Sequence, residues 1–308
     1  MLFDEKFNDI KSIIKEDLDY LEQGLKKTFT RENPLDKDLS AFLTAPAKRL
    51  RPLLGALFLR CVFGEINSKQ HDILLSIELI HNATLIHDDV IDKAKKRRTQ
   101  ETLNVKFDDN LAVVAGDYIL SVAMEKIIDI GSVEVIKLCT SALKSTCLGE
   151  INQYFSKFKI TSIDEYIQKS KEKTALLFEI SVLSGLFLNE KPIDNNLKQI
   201  ATEFSQNFGI AFQIRDDLKN VLSLDKLSSH DISSGINTAP VIFAYQENEN
   251  ILHEANIAEI IKTTNGIAKT KDLMDNYFDR AILAIKNLEG NIYKKAILEL
   301  IELLKISV

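Results

Sequence analysis

Apolar residues return at helical intervals along almost the whole of this 308-residue chain, and that periodicity limits the fold more than any other feature. Residues 5–28 place Phe7, Ile10, Ile13, Ile14, Leu18, Leu21 and Leu25 on one side of a predicted amphipathic helix. Pro34 and Asp36 mark a break, followed by a short segment to about Leu43. Pro52, well tolerated in a first helical turn, opens a helix through Val62. Residues 69–91 form a long apolar helix that ends in carboxylates. The pattern continues over 110–129, 133–156, 163–187 and 195–222, with Gly131, Gly185 and Asn189 as stop signals. Residues 223–238 are polar and predict a loop, and three further helices fill 240–305. Strand-rich folds need many tight turns, and 11 glycines and 5 prolines supply few of them. The expectation is an all-α fold, a single large helical bundle around a central cavity, with no linker dividing residues 1–308 into domains.

Charge and cysteine content narrow the function. A net charge of −6 argues against nucleic acid as a partner, because phosphate backbones reward a basic surface. Cys61, Cys139 and Cys147 form neither a CxxC pair nor a disulfide framework, which suits a reducing compartment. The N-terminus has no signal-peptide core and no apolar run is long enough to span a bilayer. A soluble, cytoplasmic protein is expected.

The chemistry is concentrated at the ends of two apolar helices. In Leu85-Ile86-His87-Asp88-Asp89-Val90-Ile91-Asp92, Asp88 and Asp92 are neighbours across one helical turn, with Asp89 beside them. Three carboxylates on one rim repel each other and call for cations. Hard oxygen ligands suit Mg²⁺, which keeps several waters and bridges to substrate phosphates. Phe212-Gln213-Ile214-Arg215-Asp216-Asp217-Leu218-Lys219-Asn220 repeats the arrangement, with Asn220 in the third place. A single cluster reads equally well as a solvated acidic helix end, but two clusters, each behind an apolar helix, are hard to explain as surface decoration. Lys93, Lys95, Lys96, Arg97 and Arg98 follow the first cluster, and Arg97 and Arg98 suit a diphosphate as charge-assisted donors. Lys48-Arg49-Leu50-Arg51-Pro52 adds positive charge at a helix N-terminus, itself a favoured anion site.

From about Lys48 to Pro240 these residues resemble the trans-isoprenyl diphosphate synthases, the long-chain octaprenyl and solanesyl types in particular. Lys48 to Pro52 is similar to the family's GGKRLRP motif, with Pro46-Ala47 in place of its paired glycines. Asp88 to Asp92 matches the first Asp-rich motif, and Arg97-Arg98 the arginine pair after it. Ala115-Gly116-Asp117, Gly149-Glu150 with Gln153, and Lys173-Thr174-Ala175 match AGD, GExxQ and KTA signatures. Gly209 to Gln213, followed by Asp216-Asp217, matches the second Asp-rich region. Asn220 replaces the last Asp of that region, and Ile236 stands where many relatives carry a lysine.

The resemblance implies an isoprenoid-synthase bundle, probed residue by residue. Lys48, Arg51, His81 and Arg98 would bind the diphosphate of isopentenyl diphosphate. Asp88, Asp92 and Asp216 would be direct Mg²⁺ ligands, with Asp89 and Asp217 as supporting carboxylates. Arg97, Lys173, Thr174 and Gln213 would hold the allylic diphosphate, Phe212 would be a further substrate-binding residue, and Asp117, Glu150 and Gln153 would form structural hydrogen bonds. The chain would be a homodimer that ionises the allylic substrate and condenses it with isopentenyl diphosphate, the departing diphosphate removing the proton. Ala83 and Thr84, small residues one turn before Asp88, would leave the path for a long product open. A short-chain synthase and a non-catalytic subunit of a heteromeric synthase are the alternatives.

Overall fold

The computed structural model describes residues 2–30, 34–98, 100–157, 159–190, 192–222, 235, 237–248, 261 and 263–307. The first apolar stretch is not one helix. It forms α1 (Leu2–Ser12) and α2 (Lys15–Thr28), parted where Ile14 takes φ −123° and ψ 36°. The two halves have different neighbours: α1 lies on the C-terminal helix, whereas α2 lies on α3 (Pro34–Thr44) and α5 (Ser68–Ile91). A straight rod would reach only one of them. Between them in the chain, α4 (Leu50–Phe63) buries Leu53, Leu54, Leu57 and Phe58 completely. A helix that is apolar on all sides belongs in the core.

Asn67 starts α5 with a capping box: its side chain accepts from Gln70 N at 2.9 Å, and the Gln70 side chain accepts from Asn67 N at 2.9 Å. The amides of these two residues donate to the carbonyls of Leu188 and Gly185, at 3.1 and 2.8 Å, which ties the start of α5 to the end of α10 (Leu176–Phe187). After α5 a short hairpin pairs β1 (Lys96–Arg97) with β2 (Gln100–Glu101), an element that helical periodicity does not announce. Then follow α6 (Leu103–Lys106), α7 (Asp109–Ile130) alongside α5, and α8 (Val133–Phe155). Gly131, at φ 79°, ends α7, and the Ser132 side chain caps α8.

The stretch expected to be one helix over 163–187 is interrupted. α9 (Ile163–Ser170) passes into a π turn at Lys171–Ala175 before α10 begins, and such bulges gather at functional sites. α11 (Asn195–Leu222) crosses this turn, and α12 (Ala239–Glu247), α13 (Gly266–Ala284) and α14 (Ile292–Ile306) complete the described elements. Most of the polar 223–238 segment, with Lys226 and Ile236, lies outside the described residues.

A row of phenylalanines runs through the core toward the carboxylate end of α11. Phe58 stacks on Phe204 at 5.5 Å between ring centroids, and Phe204 meets Phe208 at 6.1 Å. Phe178 touches Phe208 and Phe212 edge-on at 5.2 and 5.5 Å. The main core cluster extends from Phe7 to Leu304 and so includes both chain ends. Among the described residues no helix is long and apolar enough to cross a membrane.

Candidate active site

The last three turns of α5 line up His81, Thr84, Leu85 and Asp88 along one wall of a cavity of about 530 Å³. Spacings of three and four residues put them on one helix face. The turn before α4 contributes Lys48, the first turn of α4 Arg51, the hairpin region Arg97 and Arg98, the π turn Lys173 and Thr174, and α11 Phe212, Gln213 and Asp216. All of the residues expected to bind substrate therefore face one space. A smaller cavity of about 130 Å³ shares Lys173 and Gln213 with it and is lined by Asp92, Tyr166, Asp217 and Asn220.

The cations are held in fixed poses. Arg51 Nη1 lies 2.9 Å from His81 Nε2. Arginine only donates, so Nε2 accepts and the imidazole proton sits on Nδ1. Burial, then the nearby Arg51, Arg98 and Arg97, push the His81 pKa well below its ordinary value and keep the ring neutral. Burial also brings Arg51 down to about 10, against the pull of Glu78, Asp216 and Asp88, so it stays charged at neutral pH. Arg51 Nε is buried with no hydrogen-bond partner among the described residues, as expected of a donor awaiting an anion. Lys48 Nζ sits 4.3 Å from the ring centroid of Phe3 in α1.

On the other side, Lys173 Nζ pairs with Glu150 at 2.7 Å, and Glu150 also accepts from Gln153 at 3.1 Å. Glu150 and Gln153 are thus bonded to each other, and Glu150 also to Lys173. Asp117 is an exposed residue of α7, 3.4 Å from His87. Thr174 donates to Gln213 Oε1, Gln213 Nε2 donates to Asp217 Oδ1 at 2.7 Å, and the Tyr166 hydroxyl donates to Asp217 Oδ2 at 2.7 Å. The π turn makes room for this by turning Lys173 toward Glu150 and Thr174 toward α11. Gly209 permits the crossing, because a Cβ there would lie 2.5 Å from Ala175 Cα.

The carboxylates divide into two kinds. Asp88 faces the large cavity, and burial, opposed by Lys173 and reinforced by Glu150 and Asp92, pushes its carboxyl up to about 6. Burial raises Asp216 as well, against Arg215, Lys219, Lys48 and Arg51. Asp89 is off the cavity wall, 2% exposed, and takes Arg97 Nε on both oxygens at 2.9 Å. Its place is behind Arg97, which it aims into the cavity.

No three carboxylate, histidine or cysteine side chains converge on a metal position among the described residues, so Asp88, Asp92 and Asp216 do not make a closed cage. That suits Mg²⁺, which takes one or two carboxylates and completes its shell with water and substrate phosphate. The donors of Asp88, Asp92 and Asp216 are all hard oxygens.

Thr84 lines the cavity, whereas Ala83 is 1% exposed and sits one turn before His87 on another face of α5. That face meets α7, since a Cβ at Gly116 would lie 2.2 Å from His87 Nε2. Sequence reasoning did not single out Glu78 and Tyr166. Glu78 was discoverable as the one acid in the apolar stretch between Asp72 and Asp88 of α5, one turn from His81. Tyr166 carries no local signal, for its partner Asp217 lies 51 residues away.

The family model described as polyprenyl synthetase matches residues 32–277. A prenyl transferase of Cyanidium caldarium is 32% identical over 93% of this chain and 94% of its own length. The decaprenyl-diphosphate synthase of Dictyostelium discoideum is 31% identical over 92% of this chain and 68% of its own length. In structure, the heptaprenyl diphosphate synthase of Staphylococcus aureus superposes with a TM-score of 0.88 at 25% identity, covering 95% of this chain and 98% of that one. With the helical bundle, the two Asp-Asp helix ends and the cationic cavity between them, these likenesses show that the chain belongs to the polyprenyl synthetase family.

Proposed function

We propose that the chain, acting as one domain, joins isopentenyl diphosphate to an allylic diphosphate and extends the product to a long all-trans polyprenyl diphosphate. The observation that supports this best is a single cavity lined by two different anion-binding groups. Lys48, Arg51, His81 and Arg98 form one, and Arg97, Lys173, Thr174 and Gln213 the other. A terpene cyclase, with one diphosphate to hold, has no use for both.

In this reading Arg97 and Lys173 neutralise the allylic diphosphate as its C–O bond breaks, while Gln213, held by Thr174 and Asp217, donates its second amide hydrogen to an oxygen of it. Mg²⁺ held by Asp88, Asp92 and Asp216 would supply further positive charge to the leaving group. Lys48, Arg51 and Arg98 fix isopentenyl diphosphate so that its double bond attacks the allylic cation. His81, neutral and locked on Arg51, holds that guanidinium in place. A new C–C bond forms, and the departing diphosphate takes the proton lost from the isopentenyl unit. Leu85, Leu177 and Phe212 exclude water from the cation.

The working form is a homodimer. α8 exposes Leu148, Ile151 and Phe155 as one stripe, with Phe155 71% exposed, and Val114 and Ile128 are exposed on α7. Such a patch is unusual on a monomer. Relatives named decaprenyl and solanesyl diphosphate synthases support a long product. The test is the purified chain alone with Mg²⁺, both diphosphates and chromatography of the products. Turnover by this chain alone excludes the non-catalytic subunit. Thr84→Phe and Ala83→Phe are expected to shorten the product while the first condensation persists. A native product no longer than farnesyl diphosphate, or lengths unchanged in both variants, overturns the long-chain reading.

A further inference from the structure

Arg49 lies on the cavity wall between Lys48 and Arg51, and its side chain is buried against Glu22 and Glu78. The residue is 3% exposed and occupies the left-handed region at φ 53° and ψ 39°, a conformation that non-glycine residues avoid. It is the residue that starts α4: its carbonyl accepts from Leu53 N at 2.9 Å, and no side-chain cap accompanies it. Something must hold the unfavourable turn, and the guanidinium does so from three directions. Nε donates to Glu22 of α2 at 2.9 Å, Nη1 to Glu78 of α5 at 2.9 Å, and Nη2 to the carbonyls of Leu43, in the last turn of α3, and Ala45, just after it.

We propose that Arg49 is a positioning residue for isopentenyl diphosphate: it locks the 45–49 turn so that Lys48 and Arg51 project into the cavity from either side of it. The proposal rests on the functional reading above. Two consequences of losing the guanidinium point the same way. The left-handed turn relaxes, and Lys48 and Arg51 lose their common aim. Glu78, which lines the cavity and is 1% exposed, is left as a buried carboxylate without its cation, facing an incoming diphosphate. The second anion-binding group is built on β1, the π turn and α11, and none of the hydrogen bonds of the Arg49 guanidinium runs to these elements, so its affinity stays as it was.

The pattern of three elements and two carbonyls also explains why lysine is not a substitute. An ammonium is a point charge and cannot span Glu22, Glu78 and the end of α3 together.

Calorimetric titration of isopentenyl diphosphate and, separately, of an allylic diphosphate into the full chain tests this. Arg49→Met is expected to weaken isopentenyl diphosphate by about tenfold or more, the loss of one charge-assisted contact, with allylic affinity within about twofold. Arg49→Lys follows it, and Glu22→Gln, which removes one partner at the rim, gives a smaller shift in the same sense. Equal weakening of both ligands, or of neither, overturns the proposal. Should Arg49→Met fail to fold, Arg49→Lys and Glu22→Gln decide by the same ratio. A parent chain that binds neither diphosphate refutes the functional reading and this proposal with it. A parent that binds both, with variants that keep its ratio, refutes the role of Arg49 alone.

Discussion

A single methyl group at Gly209 is expected to cripple turnover while the fold survives. A Cβ at this position would lie 2.5 Å from Ala175 Cα, 2.7 Å from Ala175 Cβ and 3.2 Å from Phe178 Cδ2. Carbon atoms settle at about 3.5–4.0 Å, so α11 and the π turn must part by about 1 Å. Forcing a methyl into a filled core costs about 1–3 kcal/mol, and the gain in helix propensity from glycine to alanine returns about 1 kcal/mol. The net loss, about 0–2 kcal/mol, is one that a chain of this size withstands. Function is more exposed, because the atoms that must move are backbone. Ala175 is bonded to Thr174, which is bonded to Lys173, and both line the cavity. A displacement of about 1 Å in groups that orient a reacting substrate can lower the rate about hundredfold. Gly24→Ala is the control, since a Cβ there meets only the Leu75 side chain, at 2.6 Å, and Leu75 does not line the cavity. Steady-state kinetics and thermal unfolding of the two variants decide the matter. If Gly209→Ala keeps kcat/KM within about threefold of Gly24→Ala, the reasoning fails.

Three further outcomes follow from the same geometry. Asp88 is pushed up to about 6, above its unfolded value of 3.8, so its stabilising proton is held below that value and lost as pH rises through about 6. Asp88→Asn should therefore raise the melting temperature of metal-free protein above about pH 6 and abolish turnover, and an identical pH–stability profile for parent and variant refutes this. Asp17 is far from the cavity; burial pushes its pKa up, but hydrogen bonds from His71 and Arg60, at 2.7, 2.7 and 3.0 Å, outweigh burial and hold it below the ordinary value. Its stabilisation is lost as pH falls through that lowered pKa, and Asp17→Ala should cost about 3–5 kcal/mol in urea melts without altering either KM. Tyr166→Phe removes the 2.7 Å bond to Asp217 and should raise the allylic KM about tenfold while sparing that for isopentenyl diphosphate; an unchanged ratio of the two counts against it.

The helices were legible because their signal is local. Apolar spacing placed α5 and α11 and, at their ends, the carboxylates that face the cavity. What stayed hidden depends on partners distant in the chain. The break at Ile14 reflects two different neighbours for α1 and α2, and the π turn reflects the crossing of Gly209 over Ala175. Arg49 appeared in the sequence as one more cation in a basic run, and only the positions of Glu22 and Glu78, 27 and 29 residues away, turn it inward.

One division was available from helix geometry alone. Adjacent residues on a helix point about 100° apart, so the two members of an Asp-Asp pair can meet different surroundings. In both pairs the first carboxylate, Asp88 or Asp216, lines the large cavity. In both, the second is buried and receives fixed donors: Asp89 from Arg97, Asp217 from Tyr166 and Gln213. The second aspartate therefore works through its partners. Asp89 aims an arginine, and Asp217 steadies the amide that accepts from Thr174. Both pairs thus couple a carboxylate facing the cavity to an anchor for a donor on its wall.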